Sequence, residues 1–303
     1  MCPSRPSEPR HPAGHNPRRR DSGLRSALDG LYAGFNAEFS AQDPIWIVRR
    51  FDRADDREVV GFIASALAFG RVQSVLNSIE GMLKVMGPSP AAFVRQFDPV
   101  RDRQCFRHLV HRWTNGADFA ALVWVLHQML ARSGSIEAFF AEGLAADAVD
   151  VSDALESFST RALALDVAAI YGRRRPRPGV AYFFSRPSSG GACKRLNLYL
   201  RWMVRNDRVD LGVWTGVKPS QLIVPLDTHI IRVGSCLRLT TKKSPGWRMA
   251  ADLTASLREL DPADPVKFDF SMCHIGMMNA CGFGKKAGDS RCPLKGACRP
   301  MFE

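Results

Sequence analysis

The chain has 303 residues, of which 46% are hydrophobic and 24% charged, and its formal net charge is +12. This composition is typical of a globular protein. It excludes a chain that is disordered over its whole length and a repeat array. The sequence has no apolar run long enough to span a membrane and no apolar signal core near its start, which predicts a soluble, cytoplasmic protein.

The positive charge is concentrated in the second half of the chain. Residues 171–303 contain 23 lysines and arginines against 10 acids, whereas residues 1–170 contain 19 against 20. A field of one sign on one part of a protein attracts a polyanion such as nucleic acid. An anionic membrane surface or a ribosome would be attracted equally, so charge alone does not choose the partner.

The first half predicts a tail followed by a helical domain. Residues 1–22 are rich in proline, serine and arginine, which predicts a disordered basic tail. Apolar residues then recur at helical spacing, with no alternating strand pattern, so residues 23–172 are predicted to be an all-α domain. Its central helix follows the acids 55–58, is apolar on nearly all sides and ends at Gly70, and later helices include 135–145 and 152–171.

The arginine- and proline-rich segment 173–179 predicts a stiff, exposed linker or a loop that lies along phosphates. A two-faced helix is predicted after it, over 192–205, with Lys194 at the start of its polar stripe. Gly190 and Gly191 precede this helix, and glycines at that place leave backbone amides open to a phosphate. Most lysines in such a stripe are only solvated, and most Gly-Gly turns are ordinary loops.

The segment PLDTHIIRV, residues 225–233, begins another predicted helix with an acid at its start. Asp227 follows Pro225 and stands where a helix N-cap belongs. Capping of the following backbone amides is the plain structural explanation of this aspartate. A carboxylate at a helix start also points outward, where it can serve in catalysis.

PLDTHIIRV closely resembles the segment V-D-T-H-I-x-R-V that carries the catalytic aspartate of endonuclease III-like, helix-hairpin-helix DNA glycosylases. Upstream, those enzymes have a hairpin and a lysine at a helix start, roughly G-x-G-x-K, and Gly190, Ala192 and Lys194 stand in that frame here. Lys194 precedes Asp227 by 33 positions, a spacing similar to that of the archaeal 8-oxoguanine glycosylases. The resemblance covers about residues 187–303.

The first half shows no motif of that superfamily. The whole chain resembles a DUF2400-like bacterial family of uncharacterised function, in which the second half of a glycosylase is joined to a distinct helical first half. The resemblance therefore implies an all-α, two-lobed helical bundle of the helix-hairpin-helix type. Its domains would be residues 23–172 and a catalytic half over 173–303, with the active cleft between them.

The function implied is a DNA glycosylase of base-excision repair in the nucleoid. It would remove a damaged base, such as the oxidised purine 8-oxoguanine, from double-stranded DNA. Asp227 would stabilise the oxocarbenium-like sugar or help water to attack it, and Lys194 would be the nucleophile of a combined glycosylase and β-lyase. The alternative is a catalytically inactive nucleic-acid-binding protein on the same fold.

The residues expected to contact DNA are the hairpin glycines and the polar or basic side chains near the motifs. They are Gly190, Gly191, Arg195, Arg201, His229, Arg232, Lys285 and Lys286. Such contacts would offset the cost of taking the target base out of the stack.

The cysteines near the C-terminus predict a metal site, because crowded cysteines in an intracellular chain favour metal binding over disulfides. Endonuclease III relatives end in Cys-x6-Cys-x2-Cys-x5-Cys, which binds a four-iron cluster. This chain has Cys281-x10-Cys292-x5-Cys298, with Asp289 where the second ligand would stand. The resemblance implies a [4Fe–4S] cluster whose fourth ligand is Cys273 or Asp289. A zinc site, or thiols left after loss of the cluster, are the rival interpretations.

Overall fold

The computed structural model describes residues 17–34, 43–277, 292–294 and 297–298, with side chains from residue 23 onward. Within these ranges the chain forms fourteen α-helices and one short antiparallel sheet of two strands. The prediction of a mainly helical protein is confirmed. No helix in this part of the chain is both long and apolar enough to cross a bilayer.

Ten helices and the sheet come before residue 190. They are α1 (Pro17–Ala33), α2 (Ile45–Val48), α3 (Ala54–Ala66), α4 (Val72–Met86), α5 (Pro90–Gln96), β1 (Val110–His111), β2 (Thr114–Asn115), α6 (Gly116–Ser133), α7 (Ile136–Ala141), α8 (Ser152–Ala164), α9 (Ala168–Tyr171) and α10 (Pro178–Ala181). The second half adds α11 (Lys194–Val204), α12 (Thr228–Cys236), α13 (Trp247–Leu260) and α14 (Asp269–Met277). Single 3-10 turns lie at Arg103–Phe106, Pro187–Ser189 and Pro219–Gln221.

Helix α1 begins earlier than predicted. It starts at Pro17, inside the segment expected to be a disordered tail, and residues 1–16 lie outside the described range. Proline suits a first helical position because its missing N–H would have no partner there.

The single helix predicted over 152–171 is two helices. Helix α8 ends at Ala164, and Leu165 is extended. The side chain of Asp166 then accepts a hydrogen bond from the amide of Ala168 at 2.8 Å and starts α9. An aspartate that offers its carboxylate to nearby amides favours such an interruption over a continuous helix.

Helix α3 is buried on nearly all sides, as predicted, and it ends at Ala66 rather than at Gly70. It packs against α11 from the second half of the chain. The Tyr199 hydroxyl donates to the carbonyl of Glu58 at 3.2 Å, and a Cβ added at Gly61 would lie 2.8 Å from Cε of Met203. One hydrophobic cluster accordingly includes buried residues from both halves, so the boundary predicted at 172/173 does not divide the core.

Candidate active site

Asp227 caps helix α12 with one of its two carboxylate oxygens. Its backbone is extended, and its Oδ1 accepts hydrogen bonds from the amides of His229 and Ile230, both at 2.9 Å. Asp227 therefore caps α12, as the structural explanation of this residue predicts. The other oxygen, Oδ2, is not used by the cap and faces two further side chains.

Lys194 is the first residue of α11 and meets that free oxygen. Its Nζ lies 3.5 Å from Oδ2 of Asp227, and the lysine side chain is 39% exposed while that of the aspartate is 15% exposed. The approach depends on the turn before α11, in which Gly190 and Cys193 have left-handed backbones, with φ of 80° and 48°. The structure thus brings together the two residues that the motifs singled out.

Cys273, on α14, is the second neighbour of Oδ2. Its thiol donates to Oδ2 of Asp227 at 3.5 Å. Burial, followed by the negative charge of Asp227, raises the pKa of the Cys273 thiol far above its usual range, so the sulfur stays protonated. Cys273 therefore belongs to the Asp227 site.

A pocket of about 510 Å³ opens at this cluster. Its walls come from α11, α12 and α14 in the second half and from residues 43–44 and 68–75 in the first half. Most lining side chains are apolar, including Pro225, Ile230 and Phe270. This size and lining are typical of sites that bind a small organic group such as a nucleobase.

The pocket is not predominantly positive. Its titratable lining consists of Asp43, Lys194, Arg201, Asp227, Asp269, Cys273 and His274. Three carboxyl groups therefore face one lysine and one arginine. The pocket has the chemistry of a site for a neutral polar group, and phosphates would have to bind outside it.

Arg201 and Asp269 form the buried polar side of the pocket. Arg201 pairs with Asp269 and, at 3.1 Å, with Asp210. Burial, with a smaller contribution from the charge of Asp227, raises the pKa of Asp269 to about 6. Arg201 has its own pKa raised, since the two carboxylates outweigh the effect of its burial. Asp269 is thus a carboxyl group that changes charge near neutral pH.

Two predicted DNA contacts have different surroundings from those expected. Arg195 is buried, donates to the carbonyls of Ala66 and Tyr182, and stacks at 3.6 Å over the Tyr182 ring. Arg201 is buried in the ion pairs just described. Both guanidinium groups therefore contact protein in this structure and offer no surface to a phosphate. The spacing of residues along a helix shows which side chains share a face. It does not show whether another part of the protein covers that face.

The other predicted contacts lie nearer to solvent. Gly190 and Gly191 are exposed, and a Cβ added at either would meet nothing within 4 Å. Arg232 is exposed and His229 is half-buried. Lys285 and Lys286 lie outside the described residues.

Cys273 contacts Asp227 and does not line the same cavity as Cys292 and Cys298. Cys292 and Cys298 line a second, small cavity of about 10 Å³, and the third cysteine there is Cys236 on α12. Cys281 and Asp289 lie outside the described residues. Among the residues that are described, no three histidine, cysteine or acidic side chains are close enough to hold a metal ion.

Several pocket residues were not predicted from the sequence. Asp43, Asp269 and the turn from Ala68 to Gly70 line the pocket, although Asp43 and Gly70 were noted only as markers of helix ends. Asp269 and Cys273 are four positions apart and so share a face of α14. No local pattern shows that this face turns toward Asp227.

The fold and the site define a mainly helical protein in which a lysine and an aspartate, each at a helix start, meet in a pocket between the two halves of the chain. Residues 43–278 match the profile of a family described as a protein of unknown function (DUF2400), and the chain belongs to this family. No curated protein and no solved structure matched the chain. The matched range contains all the residues that line the pocket and excludes Cys281, Cys292 and Cys298.

Proposed function

We propose that this protein is a DNA glycosylase on a helix-hairpin-helix type of fold, which excises a damaged base from double-stranded DNA in base-excision repair. The observation that carries the proposal is the 3.5 Å approach of Lys194 Nζ to Asp227 Oδ2 in the wall of a pocket of about 510 Å³. A nucleophilic amine and a carboxylate in contact are the two groups needed to break an N-glycosidic bond with a covalent intermediate.

The carboxylate of Asp227 is held in a fixed orientation. Two backbone amides bind Oδ1, so Oδ2 points toward the pocket without a choice of rotamer. A fixed negative charge beside the sugar stabilises the positive charge that develops as the glycosidic bond breaks. The arrangement supports the proposed role because the group needs no reorganisation during the reaction.

Lys194 supplies the nucleophile. Its ammonium first loses a proton to solvent, since the lysine side chain is 39% exposed, and Asp227 keeps its charge. The Nζ–C1′ bond then forms as the C1′–N bond breaks, and the electron pair leaves with the damaged base, which takes up a proton. One of the two remaining N–H protons passes to the ring oxygen as the C1′–O4′ bond breaks, which opens the sugar and gives a protonated Schiff base. Loss of a C2′ proton then drives β-elimination, in which the C3′–O bond breaks and its electron pair leaves with the 3′-phosphate.

The surface outside the pocket suits the DNA backbone. The amide of Trp247 donates to the carbonyl of Gly190 at 3.1 Å, which places the start of α13 beside the glycine turn. Three exposed cations, Lys242, Lys243 and Arg248, lie in that segment of the chain. Phosphate contacts there would position the duplex and offset the cost of turning a base out of the stack.

An oxidised purine such as 8-oxoguanine is the proposed substrate, on the ground of the Lys194 to Asp227 spacing. A [4Fe–4S] cluster is proposed as a cofactor on the ground of the cysteine spacing, with Cys281, Cys292 and Cys298 as ligands and Cys273 or Asp289 as the fourth. The described cysteines Cys236, Cys292 and Cys298 do not form a metal site by themselves. The proposed chemistry uses no step at the cluster.

Borohydride trapping tests the proposal directly. Borohydride reduces the C=N bond of a Schiff base and leaves a stable covalent link between protein and DNA. The full chain is incubated with duplexes that contain 8-oxoguanine, uracil, thymine glycol or an abasic site. Wild type is expected to give an adduct with at least one duplex, and Lys194→Gln is expected to give none.

Lys84→Gln is the matched control, since Lys84 is an exposed lysine on α4 that does not line the pocket. It should form the adduct as wild type does. Loss of the adduct in both variants would point to a general effect of charge and contradict the assignment of Lys194. A wild type that binds DNA but neither forms an adduct nor releases a base from the panel would favour the inactive DNA-binding protein.

A further inference from the structure

The short sheet of the first half presents a tryptophan and an arginine at its tip. Strands β1 and β2 pair antiparallel, with His111 opposite Thr114, so Arg112 and Trp113 form a two-residue loop. Both loop side chains are exposed, and Trp113 is 53% exposed. An exposed indole offers a flat apolar face on which a partner can stack.

The loop is also strained. Arg112 has a left-handed backbone, with φ of 55°, at a position where two-residue hairpins favour glycine. A non-glycine residue in this conformation costs about 1 kcal/mol or more. The chain therefore keeps an arginine at a place where glycine would be more stable, which points to a use for the side chain.

Other aromatic rings hold Trp113 in place. The rings of Phe69 and Tyr182 both lie 5.0 Å from it, and the guanidinium of the buried Arg195 stacks beneath Tyr182 at 3.6 Å. The guanidinium of Arg112 lies 5.7 Å from the Trp113 ring. The exposed indole is consequently rigid and has positive charge beside it.

This cluster adjoins the active-site pocket. Phe69 precedes Gly70, which lines the pocket, and a Cβ added at Gly70 would lie 3.1 Å from Cδ of Arg112. His111 in turn contacts the carbonyl of Phe69 at 3.0 Å. The same turn of the chain therefore forms part of the pocket wall and supports the hairpin.

Exposed apolar side chains lie both at the pocket and at the hairpin. Eight large hydrophobic side chains are exposed in the described part of the chain, and five belong to the pocket or to the hairpin and its aromatic cluster. They are Val72, Val110, Trp113, Tyr182 and Met277. Exposed apolar side chains grouped at a pocket and beside it favour a contact surface.

We infer that the Arg112–Trp113 loop is a stacking platform for an unpaired nucleobase of bound DNA, positioned beside the pocket, with Arg112 on a neighbouring phosphate. The inference rests on the proposed DNA substrate and adds a contact from the first half of the chain. A flat indole stacks on any base, and the arginine supplies the charge that a nucleic acid, unlike an apolar protein partner, requires. Removal of a base from the helix leaves such an unpaired base on the opposite strand.

The test measures binding without chemistry. The probe is a fluorescein-labelled duplex with one tetrahydrofuran abasic analogue, which leaves the opposite base unpaired and cannot form a Schiff base. Trp113→Ala is expected to bind it about 5- to 100-fold more weakly than wild type, the range found for loss of one stacked base. Trp113→Phe should recover most of the affinity, and Val149→Ala, which removes an exposed apolar side chain elsewhere, should bind as wild type does.

Arg112→Gly separates function from folding. Because glycine relaxes the loop, this variant should unfold at the same or a higher temperature and yet bind the duplex more weakly, with a smaller dependence on salt. A purely structural arginine would not give opposite changes in stability and binding.

Trp113→Ala with wild-type affinity would overturn the inference, and so would a wild type that does not bind the duplex. A change in self-association with unchanged DNA binding would also overturn it and would assign the patch to a second copy of the chain. The trapping experiment reports separately on the glycosylase. A wild type that binds through Trp113 but traps no DNA would contradict the enzyme and leave the platform standing.

Discussion

At the scale of single residues, the site depends on the different uses of the two oxygens of Asp227. Oδ1 caps α12 through two amides, while Oδ2 contacts Lys194 and Cys273. The sequence presented capping and catalysis as alternative explanations of this aspartate. In the structure one oxygen caps the helix, which leaves the other available for chemistry.

Substitution of Asp227 should therefore separate the two roles. Asparagine keeps an oxygen that can cap the helix, so Asp227→Asn should leave the free energy of unfolding within about 0.5 kcal/mol of wild type, whereas Asp227→Ala should lose about 1 kcal/mol. Both should lower the rate of base release by at least about 100-fold. Urea unfolding and single-turnover excision measure the two effects. Retained excision by Asp227→Asn would show that the carboxylate charge is not needed.

Asp269 shows that the surroundings of a residue determine its charge. The buried network contains two arginines, Arg201 and Arg205, and four carboxylates, Asp207, Asp210, Asp264 and Asp269. Acids are thus in excess where little solvent can screen them. Burial, together with the charges of Asp227 and Asp210, raises the pKa of Asp269 from 3.8 to about 6.

A pH series tests this assignment. Because the folded-state pKa is the higher one, the bound proton stabilises the fold fully below about pH 4, and this stability is lost as the pH rises through 6. Asparagine does not titrate. The free energy of unfolding of wild type should consequently fall relative to that of Asp269→Asn between about pH 4 and pH 6 and then stay level. Urea unfolding at several pH values measures the difference. If the free energy of unfolding of wild type instead rises relative to that of the variant over this pH range, attraction to Arg201 dominates.

At the scale of elements, the packed pair α12 and α14 separates the cysteines into two environments. Helix α14 directs Cys273 toward Asp227 and Ile275 toward the small cavity, while α12 adds Cys236 to that cavity. Cys236 was predicted only as a scattered cysteine, because its distance along the chain from Cys292 gives no hint of their approach.

The cysteine assignment makes an analytical prediction. Protein purified without oxygen is expected to contain iron and to absorb near 400 nm. Cys292→Ser should lower the iron content per chain, and Cys105→Ser, which changes an exposed cysteine of the first half, should leave it unchanged. Metal analysis and the visible spectrum measure both. Loss of iron in Cys273→Ser would identify Cys273 as the fourth ligand, and zinc in place of iron would identify the rival site.

The sequence predicted the elements whose position depends on single residues or on a continuous apolar run. Gly87, with φ of 75°, closes α4 as expected, and the long apolar run formed the buried helix α3. The Arg112–Trp113 hairpin was not predicted, because strands of two residues are too short to show alternation.

At the scale of the whole molecule, net charge gave an incomplete picture of the surface. The excess of basic residues beyond position 170 includes Arg195, Arg201 and Arg205, all of which are buried. Arg201 and Arg205 form internal ion pairs, and Arg195 stacks on aromatic rings. The cations available to DNA are therefore fewer than the count suggests, and those near the glycine turn are the exposed ones of residues 242–248.

The pocket also changes the view of the first half of the chain. That half has no glycosylase motif, yet residues 43–44 and 68–75 line the pocket and support the Trp113 platform. The family match begins at residue 43 and ends at residue 278, so it contains the pocket and stops before Cys281. The pocket, rather than the cysteine-rich segment, is the part of the site shared with the matched family.

The sequence by itself determined the helical class, the cap at Asp227 and the two residues singled out for catalysis. These features depend on spacing along one element or on a side chain and its nearest amides, which the order of residues specifies directly. Only the tertiary structure decided that Lys194 reaches Asp227, that Arg195 and Arg201 are buried, that Cys273 belongs to the pocket and that Trp113 stands beside it. Each of those outcomes depends on how separate helices pack, and packing is set by contacts between residues far apart in the chain.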